Sequence, residues 1–134
     1  MIIVNNLQKS IYECLKSQNS AGFKKLTGIF NYIDKNTDFP YIFFSVRGVD
    51  DISSYSKNIY SCTLIINIFD KNTTGSFIIN LADEIKIIFS NISNFSMQNC
   101  KILDIKSNNF KISLENNNTI WKGEIDFNIL VEKL

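Results

Sequence analysis

The stretch Ser76-Phe77-Ile78-Ile79-Asn80-Leu81-Ala82-Asp83-Glu84-Ile85-Lys86-Ile87-Ile88-Phe89-Ser90-Asn91-Ile92 decides the fold class. Within it Ile78, Leu81, Ala82, Ile85, Ile88, Phe89 and Ile92 recur at steps of three and four, which places them on one helical face. Asn80, Asp83, Glu84, Lys86 and Asn91 fall on the other faces. The spacing therefore predicts an amphipathic helix over 76–92 with one side to bury. On both flanks the pattern switches to alternating apolar and polar residues, the signature of half-buried strands. Such a helix needs a sheet to lie on, and the rest of the chain supplies one.

The clearest strand precedes the helix. Tyr60, Cys62, Leu64, Ile66 and Ile68 share one face of an extended run that ends at Asp70. Ser61, Thr63 and Asn67 interrupt the opposite face, which also carries Ile59, Ile65 and Phe69. That second face is less polar than a solvated one, which marks it as a partner surface. At the end of the chain Trp121, Gly123, Ile125, Phe127, Ile129 and Val131 point one way, and Lys122, Glu124, Asp126 and Asn128 the other. Between helix and last strand, Cys100 to Ile105 and Phe110 to Leu114 alternate out of phase across Ser107-Asn108-Asn109. Either one strand bulges there or two strands meet at a turn; we favour one bent strand. Asn116-Asn117-Asn118 makes the next turn.

Upstream, Val4, Leu7, Ile11, Cys14 and Leu15 predict a first helix over 2–17, closed by the polar run Ser17-Gln18-Asn19-Ser20. Phe23, Leu26 and Ile29 add apolar anchors, and Gly28 permits a turn. Phe30, Tyr32 and Ile33 read as a short strand or extended segment before the polar run Asp34-Lys35-Asn36-Thr37-Asp38. Pro40, which lacks an amide donor, suits the start of a strand over Tyr41 to Val49. Residues 48–57 are polar and read as a loop or an extended hairpin tip. Thr73 or Thr74 is the expected N-cap of the central helix. The expectation is a single α+β domain over 1–134, an antiparallel β-sheet with two α-helices packed on one face.

Composition narrows the function classes. The chain has 134 residues, 45% hydrophobic and 20% charged, with 14 basic against 13 acidic side chains and a net charge of +1. That balance, with Arg47 as the single arginine, argues against tight nonspecific nucleic-acid binding, which needs clustered cations. Cys14, Cys62 and Cys100 are odd in number and far apart, and there is no histidine. Neither a disulfide framework nor a structural zinc site is expected, and each cysteine reads as a small core residue. No apolar run reaches membrane-spanning length and Met1 to Val4 is too short for a signal peptide, so a cytoplasmic protein without membrane contact is expected.

The absence of histidine removes Ser-His-Asp and Cys-His catalysis along with the commonest general base. Asp83 and Glu84 point about 100° apart on a helix and read as a solvated face. Asp50-Asp51 would need further carboxylates to hold a cation, and no phosphate-cradling glycine motif is present. No catalytic, cofactor-binding or metal-ligating residue is assigned, and an enzyme is not expected. Lys24-Lys25 reads as a solvated basic spot and Trp121 as packed. Ile52 and Tyr55, apolar groups within the polar 48–57 segment, are the candidate interaction residues.

The order of elements carries a resemblance. An N-terminal helix and a polar stretch lead into Asp38-Phe39-Pro40-Tyr41-Ile42, followed by a loop, a long strand and the amphipathic helix. The chain closes with a bent strand and Trp121-Lys122-Gly123-Glu124-Ile125-Asp126-Phe127 running into Leu130-Val131-Glu132. In this order and length the sequence resembles the tail completion, or tail terminator, proteins of siphophages and gene transfer agents. It departs from many of them in its scarcity of arginine. The resemblance implies a structural protein forming a ring, typically a hexamer, at the head-proximal end of the tail tube. Such a ring ends tube polymerisation and joins the tail to the head connector. Its implied partners are further copies of itself, the tail tube protein and the head–tail connector protein, while DNA passes through the lumen without sequence-specific binding. The implied location is the cytoplasm during assembly and then the virion or phage-like particle. The alternative readings are another neck, connector or minor assembly protein of the same kind of particle, or a non-catalytic α+β binding module.

Overall fold

The two periodicities sort the chain into five strands and three α-helices in a computed structural model that describes residues 2–32, 37–71 and 74–134. Met1, Ile33, Asp34, Lys35, Asn36 and Thr73, named above, lie outside the described residues. In chain order the elements are α1 (Ile2–Lys16), α2 (Ala21–Lys25), β1 (Gly28–Phe30), β2 (Tyr41–Asp51) and β3 (Asn58–Asp70). They continue as α3 (Ser76–Phe89), a 3-10 turn (Ile92–Asn94), β4 (Cys100–Glu115) and β5 (Ile120–Lys133). The strands form one sheet in the order β1-β2-β3-β5-β4.

Register explains why one face is dry. Ile42 pairs with Ile68 and Phe44 with Ile66 between β2 and β3. Ile66 pairs with Ile125, Leu64 with Phe127 and Cys62 with Ile129 between β3 and β5. All of these are fully or almost fully buried and share one core with α1 and α3. Each large aliphatic side chain so covered contributes roughly 1.5–3 kcal/mol, most of it offset by chain entropy. On α3, Ile78, Leu81, Ala82, Ile85 and Phe89 are buried, and Phe89 stacks on Phe127 at 4.4 Å between centroids. Helix α1 buries Ile3, Leu7, Ile11, Cys14 and Leu15 over the β1–β2 side. The two long helices thus lie on one sheet face, as the periodicities predict.

The bent strand is also present. Within β4 the pairing with β5 shifts between Ile102 and Asp104 and again between Ser107 and Phe110. These bulges change the phase of the pleat, so that Ile102, Ile105, Phe110 and Ile112 pair with core-facing Val131, Ile129, Ile125 and Gly123. Asn116, Asn117 and Asn118 all hold positive φ, between 51° and 64°, in the following turn. Asparagine tolerates that region better than other side chains do.

Several expectations need correction. The sheet is mixed rather than wholly antiparallel, because β1 runs parallel to β2 with Ile29 beside Ile42. A parallel neighbour requires the chain to return to the same end, and a β1 of three residues leaves little length to retrace. Gly28 begins this strand rather than turning the chain. A third helix, α2, occupies 21–25; Ser20 caps it by accepting from the Phe23 amide at 3.3 Å and donates to Glu84 Oε2 at 3.1 Å. Helix α3 ends at Phe89 rather than Ile92. The Ser90 hydroxyl and the Asn94 side-chain amide donate to the carbonyls of Ile87 and Ile88, adding to the Ser90 and Asn91 backbone amides that close the last turn. Ile92 is consequently exposed and Ile88 only partly covered. Gly75, not Thr74, is the N-cap residue, and the Thr74 and Ser76 hydroxyls pair with each other at 2.9 Å. A side chain at Gly75 would place its Cβ 2.7 Å from Ile112 Cδ1, which explains a glycine where a capping residue is expected.

Candidate docking surfaces

The β2–β3 hairpin ends in an arm whose turn projects beyond the sheet, with β5 accompanying β3 as far as Asn58 beside Lys133. Asp51 still pairs with Tyr60, so the strand runs two residues beyond Val49 and the turn is confined to 52–57. Its closure is local: Ile52 donates its amide to the Ile59 carbonyl at 3.0 Å, and Ser54 to that of Lys57 at 2.9 Å. The Asp51 carboxylate accepts from the Ser53 amide at 2.9 Å. Hydrogen bonds from the Ser53 hydroxyl and then its amide hold the Asp51 carboxyl below its ordinary range, so it stays ionised. Ile52 is half exposed on this tip and Tyr55 fully so. The structure therefore brings the two candidate interaction residues together, at the end of the arm and clear of the core.

The second surface is the face of the sheet away from the helices. Among the described residues no helix or strand covers it. Its centre is polar, with Ser61 donating to Asn128 Oδ1 at 2.9 Å, but the end where β2 begins is aromatic. Tyr41 stacks on Phe69 at 5.0 Å, Phe30 meets Tyr41 edge-on at 6.2 Å, and Phe39 tilts against Tyr41 at 5.3 Å. Of these rings Phe30, Tyr41 and Phe69, together with Tyr32, Thr37, Phe43, Arg47, Lys122 and Asn67, line a cup of about 230 Å³. Partial burial among the rings raises the Tyr41 phenol above its ordinary pKa. Asn67 lies at the cup with 2% of its surface exposed, and its Oδ1 has no hydrogen-bond donor among the described residues.

The remaining polar groups are dispersed. A wider open cleft of about 560 Å³ between α2 and α3 includes Lys25, Asp70 and Glu84, and Glu84 is engaged by Ser20. Asp83 faces solvent on α3, and Asp50 lies on the arm. Among the described residues no three Cys, Asp or Glu side chains group as metal ligands would, and no helix is long and apolar enough to cross a membrane. All three cysteines are buried and unbridged. Burial pushes the Cys62 thiol up to about 11 and raises that of Cys14, which disfavours the nucleophilic thiolate. Trp121 is half-buried against the core, beside Gly75.

The less polar second face of β3 contains part of this surface, through Phe69. The cup itself was missed because Phe30, Tyr41, Phe43 and Phe69 come from three strands whose order is not written in local periodicity. Ile79 and Ile87, exposed on the outer side of α3, were also assigned to neither face.

No protein-family model matches the sequence, and no curated protein matches it. Among solved structures, the chain is similar to one from the virion of a native gene transfer agent particle, with a TM-score of 0.83 and 12% identity over 96% of both chains. A second structure, whose name states no role, matches with a TM-score of 0.52 and 12% identity over 96% of this chain and 93% of the other. At such identities the likeness is one of fold, and it extends over nearly the whole chain.

Proposed function

We propose that this protein is a structural, non-catalytic component of a phage or gene-transfer-agent tail, and specifically its terminator. In this reading copies of the chain close into a ring, typically a hexamer, on the head-proximal end of the tail tube. The ring stops tube growth, presents a surface to the head connector, and lets DNA pass through its lumen without reading sequence. Assembly takes place in the cytoplasm and the finished ring stays in the particle. The observation that carries the proposal is the fold likeness to a virion chain over 96% of both chains. The residue pattern from Asp38-Phe39-Pro40-Tyr41 to Leu130-Val131-Glu132 supports the terminator within that setting. Two apolar-bearing surfaces outside the core, the arm tip and the aromatic cup, suit a subunit with several neighbours. The test mixes purified protein with polymerising tail-tube subunits and measures tube lengths by negative-stain microscopy. Tubes of bounded length, capped at one end by a ring, are expected. Lengths unaffected by the protein would reject the terminator role.

A further inference from the structure

We propose that the aromatic cup of one copy receives Tyr55 from the β2–β3 arm of a second copy, the phenol hydroxyl donating to Asn67 Oδ1. This deepens the ring reading and rests on it. The cup itself specifies its occupant. Asn67 Oδ1 is buried and lacks a donor among the described residues, a state that costs about 1–3 kcal/mol. A group that fills the cup and meets Asn67 satisfies it only by bringing an O–H or N–H at the end of an apolar body. The stacked Tyr41 and Phe69 with the edge-on Phe30 favour an aromatic body. At about 230 Å³ the space is below the usual range for drug-sized ligands, roughly 300–1,000 Å³, and suits a single side chain.

Tyr55 has the matching chemistry. It is a fully exposed phenol on a hydrogen-bonded turn, so little loop ordering opposes docking. Charge agrees as well. Asp50 and the ionised Asp51 stand at the base of the turn, and Arg47 and Lys122 stand beside the cup. Lys122 already faces Glu115 and Glu124 at 3.8 and 4.0 Å, which leaves Arg47 as the main cation for the arm. A copy's own Tyr55 cannot reach its cup. The cup lies where β2 begins and Tyr55 beyond where it ends, about 30 Å apart at roughly 3.3 Å per residue. Two different patches at opposite ends of one ribbon make a head-to-tail contact, which repeats from copy to copy and can close into a ring.

The test places the photo-crosslinking residue p-benzoylphenylalanine at position 55, both in free protein and in the tube-capping mixture, and maps the adduct peptides. Self-association of unlabelled variants is followed by analytical ultracentrifugation over a concentration series. Adducts between copies on residues 41–47 or 67–71 are expected. Tyr55→Phe, which removes only the hydroxyl, should weaken association about tenfold, and Tyr55→Ala more. Tyr55→Phe combined with Asn67→Leu should recover much of that loss, because neither partner is then left unpaired. Position 55 is solvent-exposed, so unchanged thermal melting of its variants verifies that the fold is intact. Undiminished association of Tyr55→Ala, or adducts confined to other surfaces, would overturn the contact while capped tubes would still uphold the terminator reading. Absence of both inter-copy adducts and capped tubes would overturn the two together.

Discussion

Gly123→Ala tests how closely the central helix sits on the sheet. Gly123 lies on β5 between Ile68 of β3 and Ile112 of β4, on the face that α3 covers. A Cβ there would overlap Ile78 Cγ2 and stand 3.3 Å from Phe110 Cε1. Ile78 is fully buried in the first turn of α3, so the methyl can be accommodated only by shifting the helix or forcing a rotamer. Overpacking of this kind costs about 1–3 kcal/mol. The loss of glycine freedom in the unfolded chain offsets about 0.4–1 kcal/mol. A net destabilisation of about 1–2 kcal/mol remains, which lowers Tm by about 3–8 °C for a domain of this size. Differential scanning calorimetry reads this directly, with Gly123→Ala/Ile78→Leu as the control. Leucine has no branch at Cβ and conserves volume, so it removes the clashing methyl, and the double variant should be more stable than the sum of the two single changes. If Gly123→Ala melts at or above the wild-type temperature, the close approach of α3 to β5 is wrong.

Leu81→Asp or Ile85→Asp places an unpaired carboxylate among fully buried side chains and should leave no cooperative transition in circular dichroism melts; a wild-type Tm in either would refute the buried face of α3. The Cys62 thiol is held at about 11 in the fold against 9.0 for a free thiol. Its contribution is therefore complete below about pH 9 and is lost as pH rises through about 11, because the unfolded chain ionises first. Cys14 acts in the same direction. Urea midpoints measured from pH 8 to 11 should fall across that window, and replacing Cys62 by alanine should flatten the fall. Replacing 52–57 with an Asn-Gly turn should leave Tm within about 3 °C, because only exposed residues are removed and the turn suits a hairpin. The same protein should fail to limit tail-tube length by microscopy, and normal lengths would remove the arm from the docking role.

What could be read from the residues alone was what short-range periodicity encodes. The 3.6-residue recurrence from Ile78 to Phe89 and the period-2 runs of β3 and β5 specify an element and the face it buries, since each depends on only a dozen or so neighbouring positions. The bend in β4 was legible for the same reason, as a break in phase at Ser107-Asn108-Asn109 that only bulges repair. The tips of elements were less legible. Helix α2 is too short for a period to show, and α3 stops where Ser90 and Asn94 take its last carbonyls instead of where its apolar pattern stops. Tertiary structure alone decided which strands became neighbours. The parallel placement of β1 sets Phe30 against Tyr41, which stacks on Phe69, and Asn67 becomes a nearly buried amide at the cup they line. Burial is a property of what packs above a side chain, and that is set by pairing between residues tens of positions apart, where local sequence carries no signal.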